Sequence, residues 1–369
     1  MLSSNKYFRL NPECFLITGE KGSVVHNLYT GEAIWCDQAD TAALVQSETN
    51  HPVNETVSVF RELKQKHWGF FSDKPPFVDK LRTFNIFRES RLWKETPYIS
   101  MAVLQVSNVC NLNCPSCETS FCPICKVFPS TVEDGEPLST GDWLDLITEL
   151  KRFGTQWIVF TGGEALVFTD LETLVRHASS LGIVVQVHTN GLLPLPPDFP
   201  DVAFSILLSD VTALPVIVEN FGARHNVTLF NSGVDPQIIA ETVRSSWRVQ
   251  VVSPEPPTIE KKNLMEIGFE RFFTRKLNDS CLNGKIYVTH NGAVLPCFGH
   301  KDSPVANIKR NGLAASVKVL VENYWNVAID KIDSDRKCNQ CEYRYCCNSC
   351  RYLDVEQKCK YDIKEGTWQ

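Results

Sequence analysis

The sequence predicts an α/β protein: a partial barrel of six parallel strands with covering helices, a small α+β module before it and a cysteine-rich segment after it. Three observations predict this. From about residue 100 to 280, short apolar runs alternate with stretches of helical periodicity, the pattern of a parallel sheet covered on at least one face. Of the 15 cysteines, five lie between Cys110 and Cys125 and eight between Cys281 and Cys359. Residues 1 to about 95 carry no clustered cysteine and pattern as strands followed by a helix.

Composition bounds the class. A chain of 369 residues suffices for two or three domains and a buried core. Apolar residues at 43% and charged residues at 22% give an ordinary globular balance, which excludes disordered and fibrous classes. A net charge of −6 offers no field for nucleic acid or an anionic membrane surface, so neither is expected as a partner. No run of about twenty uncharged apolar residues occurs, because the best candidate, from Val202, is interrupted by Asp210 and Glu219. The first nine residues lack the apolar stretch of a signal peptide, so a cytoplasmic location is expected.

Along the chain, residues 15–18 and 23–26 read as strands joined by the turn Gly19-Glu20-Lys21-Gly22. Val57, Phe60, Leu63 and Trp68 recur at roughly helical spacing, predicting an amphipathic helix through 58–67, and Pro75-Pro76 punctuates it. A module of this size suits either a peptide-binding domain or a structural extension. Beyond it, 102–107 is a strand running into the first cysteine group. Residues 140–154 form a helix whose core stripe is Trp143, Leu144, Leu146, Ile147, Leu150 and Phe153. Strand 157–161 follows, then a helix over 170–182 stopped by Gly182, then strand 183–188. Residues 202–208, 227–230 and 248–252 complete six strands, with a helix over 236–247 before the last. In such a sheet, ligands gather at the carboxyl ends of the strands. After about 275 there is little periodicity, and the segment is expected to need metal to fold.

In a reducing compartment the cysteines do not form a disulfide framework, and their grouping suits metal sites. Cys14 and Cys36, outside both groups, are expected to act as small buried hydrophobes. The segment Cys110-Asn-Leu-Asn-Cys114-Pro-Ser-Cys117 follows the first strand of the alternating region. Three thiolates at this C-x3-C-x2-C spacing can hold three irons of a [4Fe–4S] cluster and leave the fourth open. Zinc is the alternative, although it usually takes paired C-x2-C knuckles. The strand at 157–161 ends in Gly162-Gly163-Glu164, where glycines admit a close backbone approach and a carboxylate can pair with an ammonium. The third strand ends in Thr189-Asn190-Gly191.

These three motifs, in order at successive strand ends, resemble the radical S-adenosylmethionine superfamily, a resemblance that covers about residues 100 to 360 with the core domain at 100–275. The resemblance implies a partial (β/α)6 barrel with a [4Fe–4S] cluster on Cys110, Cys114 and Cys117. It further implies S-adenosylmethionine on the open iron, Gly162, Gly163 and Glu164 at its methionine amino group, and Thr189 and Asn190 beside it. His188, at a strand end, and Asp210, beyond the fourth strand, are the catalytic candidates, against the plainer readings of a satisfied strand-end histidine and a solvated loop acid.

The second cysteine group resembles the SPASM extension of peptide-modifying radical enzymes, placing that domain at 276–369. Cys281 and Cys297 frame Gly292, and Cys338, Cys341, Cys346, Cys347, Cys350 and Cys359 follow. The resemblance implies two auxiliary clusters, one on Cys281, Cys297 and Cys350, the other on Cys338, Cys341, Cys347 and Cys359. One of the adjacent pair Cys346 and Cys347 is surplus to the pattern, and Cys346 is open to serve the three-ligand site or to stay free. Zinc knuckles are the alternative here. Cys122 and Cys125 are either half a metal site, a redox pair or incidental thiols.

The resemblance implies an enzyme that modifies a ribosomally made precursor peptide, with a cross-link by net oxidation expected. Residues 1–95 resemble the small winged-helix-like domains that take up the leader as an added strand. The implied partners are the leader-bearing peptide and an electron donor such as flavodoxin or ferredoxin. The alternatives are sulfatase-maturase-like oxidation of a Cys or Ser in a protein partner, and a non-catalytic zinc or iron–sulfur binding protein.

Overall fold

Val, Ile, Leu and Phe dominate most strands of the central region, which are buried along most of their length, while the strand Arg248–Val251 at the sheet edge is exposed. The protein is described from a computed structural model covering residues 6–82, 97–112, 135–208, 210–231, 233–243, 246–251, 261, 264, 267–277, 281–297, 304–327, 338–347, 361–363 and 365–368.

The N-terminal module contains β1 (Tyr7–Leu10), β2 (Cys14–Thr18), β3 (Ser23–Asn27), β4 (Ala33–Cys36), α1 (Gln38–Glu48), α2 (Ser58–Gln65) and β5 (Gly69–Ser72). Strands β2, β3 and β4 form an antiparallel sheet, and β1 pairs with β5. The expected hairpin and amphipathic helix are both present. Helix α1 escapes a periodicity reading because only Leu44 and Ser47 of it are buried. Strand β3 is buried along its whole length. One face of the module packs Phe8, Leu10, Val25, Leu44, Phe60, Leu63 and Trp68 together. The other presents Phe15, Ile17, Val24 and Leu28 to Phe272, Tyr343, Tyr345 and Tyr361 from the far end of the chain.

The central region runs β6 (Met101–Ser107), α3 (Thr140–Arg152), β7 (Trp157–Gly162), α4 (Leu171–Ser180), β8 (Val184–Thr189), β9 (Ala203–Leu208), α5 (Leu214–Phe221), β10 (Val227–Asn231), α6 (Pro236–Thr242), β11 (Arg248–Val251) and α7 (Phe269–Leu277). Strands β6 to β11 pair in sequence order, each parallel to the next. All six predicted strands are therefore present and in one sheet. Ser139 caps α3, and Asp142 answers it in a capping box, an arrangement that contributes about 1 kcal/mol. The outer face packs Leu104, Phe160, Val187, Ile206 and Leu229 under Trp143, Leu150, Leu174 and Phe221 of the helices. The opposite face carries Met101, Val103 and Val159, and with them the buried polar residues Gln105, His188 and Ser205.

Beyond residue 275 the chain departs from expectation. It forms β12 (Lys285–Val288), β13 (Ala293–Leu295), β14 (Ala306–Asn307) and a 13-residue helix, α8 (Ile308–Leu320), before β15 (Tyr361–Asp362) and β16 (Thr367–Trp368). Strand β12 pairs parallel with β6, so the sheet order is β11-β10-β9-β8-β7-β6-β12-β13-β14. These strands have four, three and two residues. Runs that short hold no readable period, and it is pairing to β6 that organises them. Among the described residues, no helix is long and apolar enough to cross a membrane.

Candidate functional site

The carboxyl ends of β6, β7 and β8 bring Cys110, Glu164 and Asn190 together. Adjacent parallel strands end side by side, so loops far apart in sequence meet there. The Gly163 N–H donates to the Ser107 carbonyl and the Glu164 N–H to the Val109 carbonyl, both at 2.9 Å. A Cβ on Gly163 would stand 2.6 Å from the Val109 carbonyl oxygen and 3.0 Å from the Cys110 nitrogen, so this crossing requires glycine.

Glu164 is buried, with 1% of its surface exposed. Its Oε1 accepts the Leu166 N–H at 2.9 Å and its Oε2 the Asn190 N–H at 2.7 Å. Burial pushes its carboxyl above the ordinary range, and the Asn190 and Leu166 N–H groups offset part of that rise. Asn190 in turn donates through Nδ2 to Asn111 Oδ1 at 2.7 Å, with Cys110 Sγ 3.8 Å away. The Cys110 sulfur, half-buried, also accepts the Leu112 N–H at 3.4 Å. Thr189 Oγ1 accepts the Gly191 N–H at 2.9 Å and shapes the same strand end. Asn111, inside the cysteine motif, is the residue that motif reading passes over.

Thiolate is the donor an iron–sulfur cluster takes, and among the described residues of this strand end Cys110 supplies the thiol. Cys114 and Cys117, and likewise Cys122 and Cys125, lie outside the described residues.

The two catalytic candidates are placed differently. His188 is buried in β8, beside Gln186 at 3.3 Å, and burial pushes its imidazole down to about 3. It is therefore neutral at physiological pH. Asp210 is exposed; its carboxylate accepts the Thr212 N–H at 2.9 Å and caps the following turn, which holds it below the usual carboxylate range.

Among the C-terminal cysteines, Cys338, Cys341 and Cys347 are neighbours. Burial first, then the charges of Glu342, Cys347 and Cys338, push the Cys341 thiol up. Cys346 points elsewhere: it is buried, with Sγ 3.4 Å from His26 Nε2. Cys281 and Cys297 are half-buried, and Cys297 packs against the main core. Cys350 and Cys359 lie outside the described residues. No three His, Cys, Asp or Glu side chains among the described residues converge closely enough to hold a metal ion by themselves. Cys14 and Cys36 are buried thiols pushed up to about 12 by burial, as their isolation in the sequence predicts.

The segment that contains these strand ends is similar to known proteins. Residues 104–221 match the Radical SAM superfamily. The 7-carboxy-7-deazaguanine synthase of Hyperthermus butylicus is 39% identical over 88 residues, covering 24% of this chain and 33% of that protein. The PqqA peptide cyclase of Rhodopseudomonas palustris is 36% identical over 101 residues, covering 27% of this chain and 24% of that protein. The chain thus spans a quarter to a third of the length of these relatives. The crystal structure of Streptococcus suis SuiB bound to S-adenosylmethionine aligns with 96% of this chain and 99% of that one, at 14% identity and a TM-score of 0.45.

Proposed function

We propose that this chain is a radical SAM enzyme that modifies a ribosomally made precursor peptide and cross-links it by net oxidation. The observation that carries the reading is the meeting of Cys110, Glu164 and Asn190 at three successive strand ends. When bound, a [4Fe–4S] cluster and S-adenosylmethionine supply a 5′-deoxyadenosyl radical for hydrogen abstraction from the peptide. Cys110, with Cys114 and Cys117, would hold the irons. Asn190 and Leu112 steady the Cys110 sulfur through N–H donors. Gly162 and Gly163 let the backbone close on the 107–110 segment that carries Cys110, beside which the ligand would sit. Glu164, fixed by two backbone N–H groups, keeps lone pairs with which to accept the methionine ammonium.

A peptide substrate is supported by the similarity to PqqA peptide cyclase and by the flanking regions. The N-terminal module has the small sheet a leader would extend, and the C-terminal cysteines would hold auxiliary clusters that accept an electron from the product. Flavodoxin or ferredoxin would supply the first electron. A cytoplasmic setting agrees with this iron–sulfur chemistry.

The test is anaerobic reconstitution followed by assay for 5′-deoxyadenosine, then co-expression with a short peptide encoded beside the gene. The peptide is expected to lose two hydrogens, and Cys114→Ala to abolish 5′-deoxyadenosine formation while the C-terminal iron stays. Cleavage by Cys114→Ala at the parent rate overturns the assignment.

A further inference from the structure

The face of the parallel sheet turned away from the helices carries a polar group that the cofactor site does not use. Gln105 stands on β6, Thr161 on β7, Gln186 and His188 on β8, and Ser205 on β9. The register makes them neighbours. Gln105 pairs with Thr161, Gln186 with Val159, and His188 with Ser205. Paired residues of parallel strands share a face, and so do residues i and i+2 of one strand. Gln186 is half-buried and the other four are buried. His188 lies two residues, about 7 Å, from Asn190 along the chain, so the group sits directly inside the strand-end site. Polar side chains in such a place need hydrogen-bond partners.

The two glutamines are each fixed at one end. The Tyr287 hydroxyl donates to Gln105 Oε1 at 3.0 Å. Gln186 Nε2 donates to Ser205 Oγ and lies 3.3 Å from His188 Nε2. His188 is neutral, so one ring nitrogen carries a lone pair, and Nε2 in that role accepts the second amide hydrogen. The other ends are left over. Gln105 Nε2, a donor, and Gln186 Oε1, an acceptor, have no hydrogen-bond partner among the described residues. They belong to strands on either side of β7, about 10 Å apart at ordinary sheet spacing, with Val103 and Val159 on the same face. No Asp, Glu, Lys or Arg occurs in β6 to β9.

We propose that Gln105 and Gln186 form a receptor for one backbone amide of the peptide substrate: Gln186 Oε1 accepts its N–H, Gln105 Nε2 donates to its carbonyl, and Ser205 and His188 are positioning residues that fix the Gln186 amide. The proposal rests on the reading of the chain as a peptide-modifying radical enzyme. In a trans peptide unit the C=O and N–H point in opposite directions, as groups on either side of β7 require. An uncharged face with one donor and one acceptor matches an amide. It rejects a carboxylate or an ammonium, which would lose its water and gain no counter-charge.

The experiment uses the full-length reconstituted chain and the short peptide encoded beside its gene, synthesised with one amide at a time replaced by an ester, which removes the N–H. The kcat/KM for modification is measured for each peptide. In the parent, one ester position is expected to cost about tenfold, the loss of one buried hydrogen bond. In Gln186→Met the all-amide peptide is expected to suffer that loss already, and the same ester to cost nothing further. Gln186→Leu is the second variant where methionine prevents folding. Ser205→Ala and His188→Leu, which free the amide to turn, are each expected to shrink the ester penalty to about threefold. A glutamine with a structural role alone would slow every peptide and leave the penalty intact. Gln105→Met is expected to lower kcat/KM for the all-amide peptide about tenfold. No ester penalty in the parent, or a full penalty in the Gln186 variant, overturns the acceptor. A full penalty in both Ser205→Ala and His188→Leu overturns the positioning roles, and the parent value in Gln105→Met overturns the donor. A parent chain that forms 5′-deoxyadenosine yet modifies no peptide overturns the peptide reading and this receptor with it, an outcome distinct from modification without an ester penalty.

Discussion

Glu164 ties two strand ends together, its Oε2 accepting the Asn190 N–H at 2.7 Å across 26 residues of chain. The carboxylate therefore organises the strand ends before any ligand arrives, and Asn190 passes that order to Asn111 and Cys110. The strand-end staple, together with the ammonium-accepting role proposed for Glu164, makes the same substitution costly twice.

In Glu164→Gln, the amide group must face one backbone N–H with another donor. A buried donor left unpaired costs about 1–3 kcal/mol. Calorimetry on the reconstituted enzyme is expected to show a roughly 5- to 150-fold weaker Kd for S-adenosylmethionine. A parent-like Kd would leave Glu164 with a turn-forming role alone.

Gly163→Ala places a methyl group 2.6 Å from the Val109 carbonyl oxygen, and the Cys110 backbone must give way. Misplacement of a reacting assembly by about 1 Å costs about a hundredfold in rate. The expected result is a fall of that order in 5′-deoxyadenosine formation, with the C-terminal iron unchanged. Parent-like turnover would show that the 107–110 segment tolerates displacement.

The buried His188 makes stability depend on pH. Its folded value lies at about 3, below the ordinary 6.5 of the unfolded chain, so the unfolded state binds the extra proton between them. The stability it contributes is fully present above pH 6.5 and falls as pH drops toward 3, by about 1.4 kcal/mol per pH unit once the unfolded imidazole is charged. Urea unfolding from pH 7 to pH 5 is expected to show a steeper loss in the parent than in His188→Gln. Parallel curves would mean that His188 titrates alike in both states.

Removing residues 1–95 strips Phe15, Ile17, Val24 and Leu28 from a core shared with Phe272, Tyr343 and Tyr345. The truncated chain is expected to express with lower soluble yield and to lose C-terminal iron. A soluble truncation with the parent's iron content would mean that this shared core contributes little.

The six strands and the motifs at their ends were legible because both signals are local. A parallel strand buried on both faces reads as an apolar run, and Gly162-Gly163-Glu164 and Thr189-Asn190-Gly191 sit directly after two of those runs. The N-terminal hairpin was legible for the same reason, its turn residues lying between two apolar segments. Strands β12 to β14 were not, because two to four residues carry no period of their own.

By itself, then, the sequence determined the α/β class, the six parallel strands and the residues offered at their ends. Tertiary structure alone decided what those residues touch. The Glu164 partners come from a neighbouring strand end, and spacing along the chain does not encode which lone pair meets which N–H. Cys346 and Cys347 are equivalent in the sequence to within one position, yet His26, 320 residues away, takes one sulfur and leaves the other. Contacts across such separations are set by how the two modules pack, and packing depends on the shape of both surfaces at once.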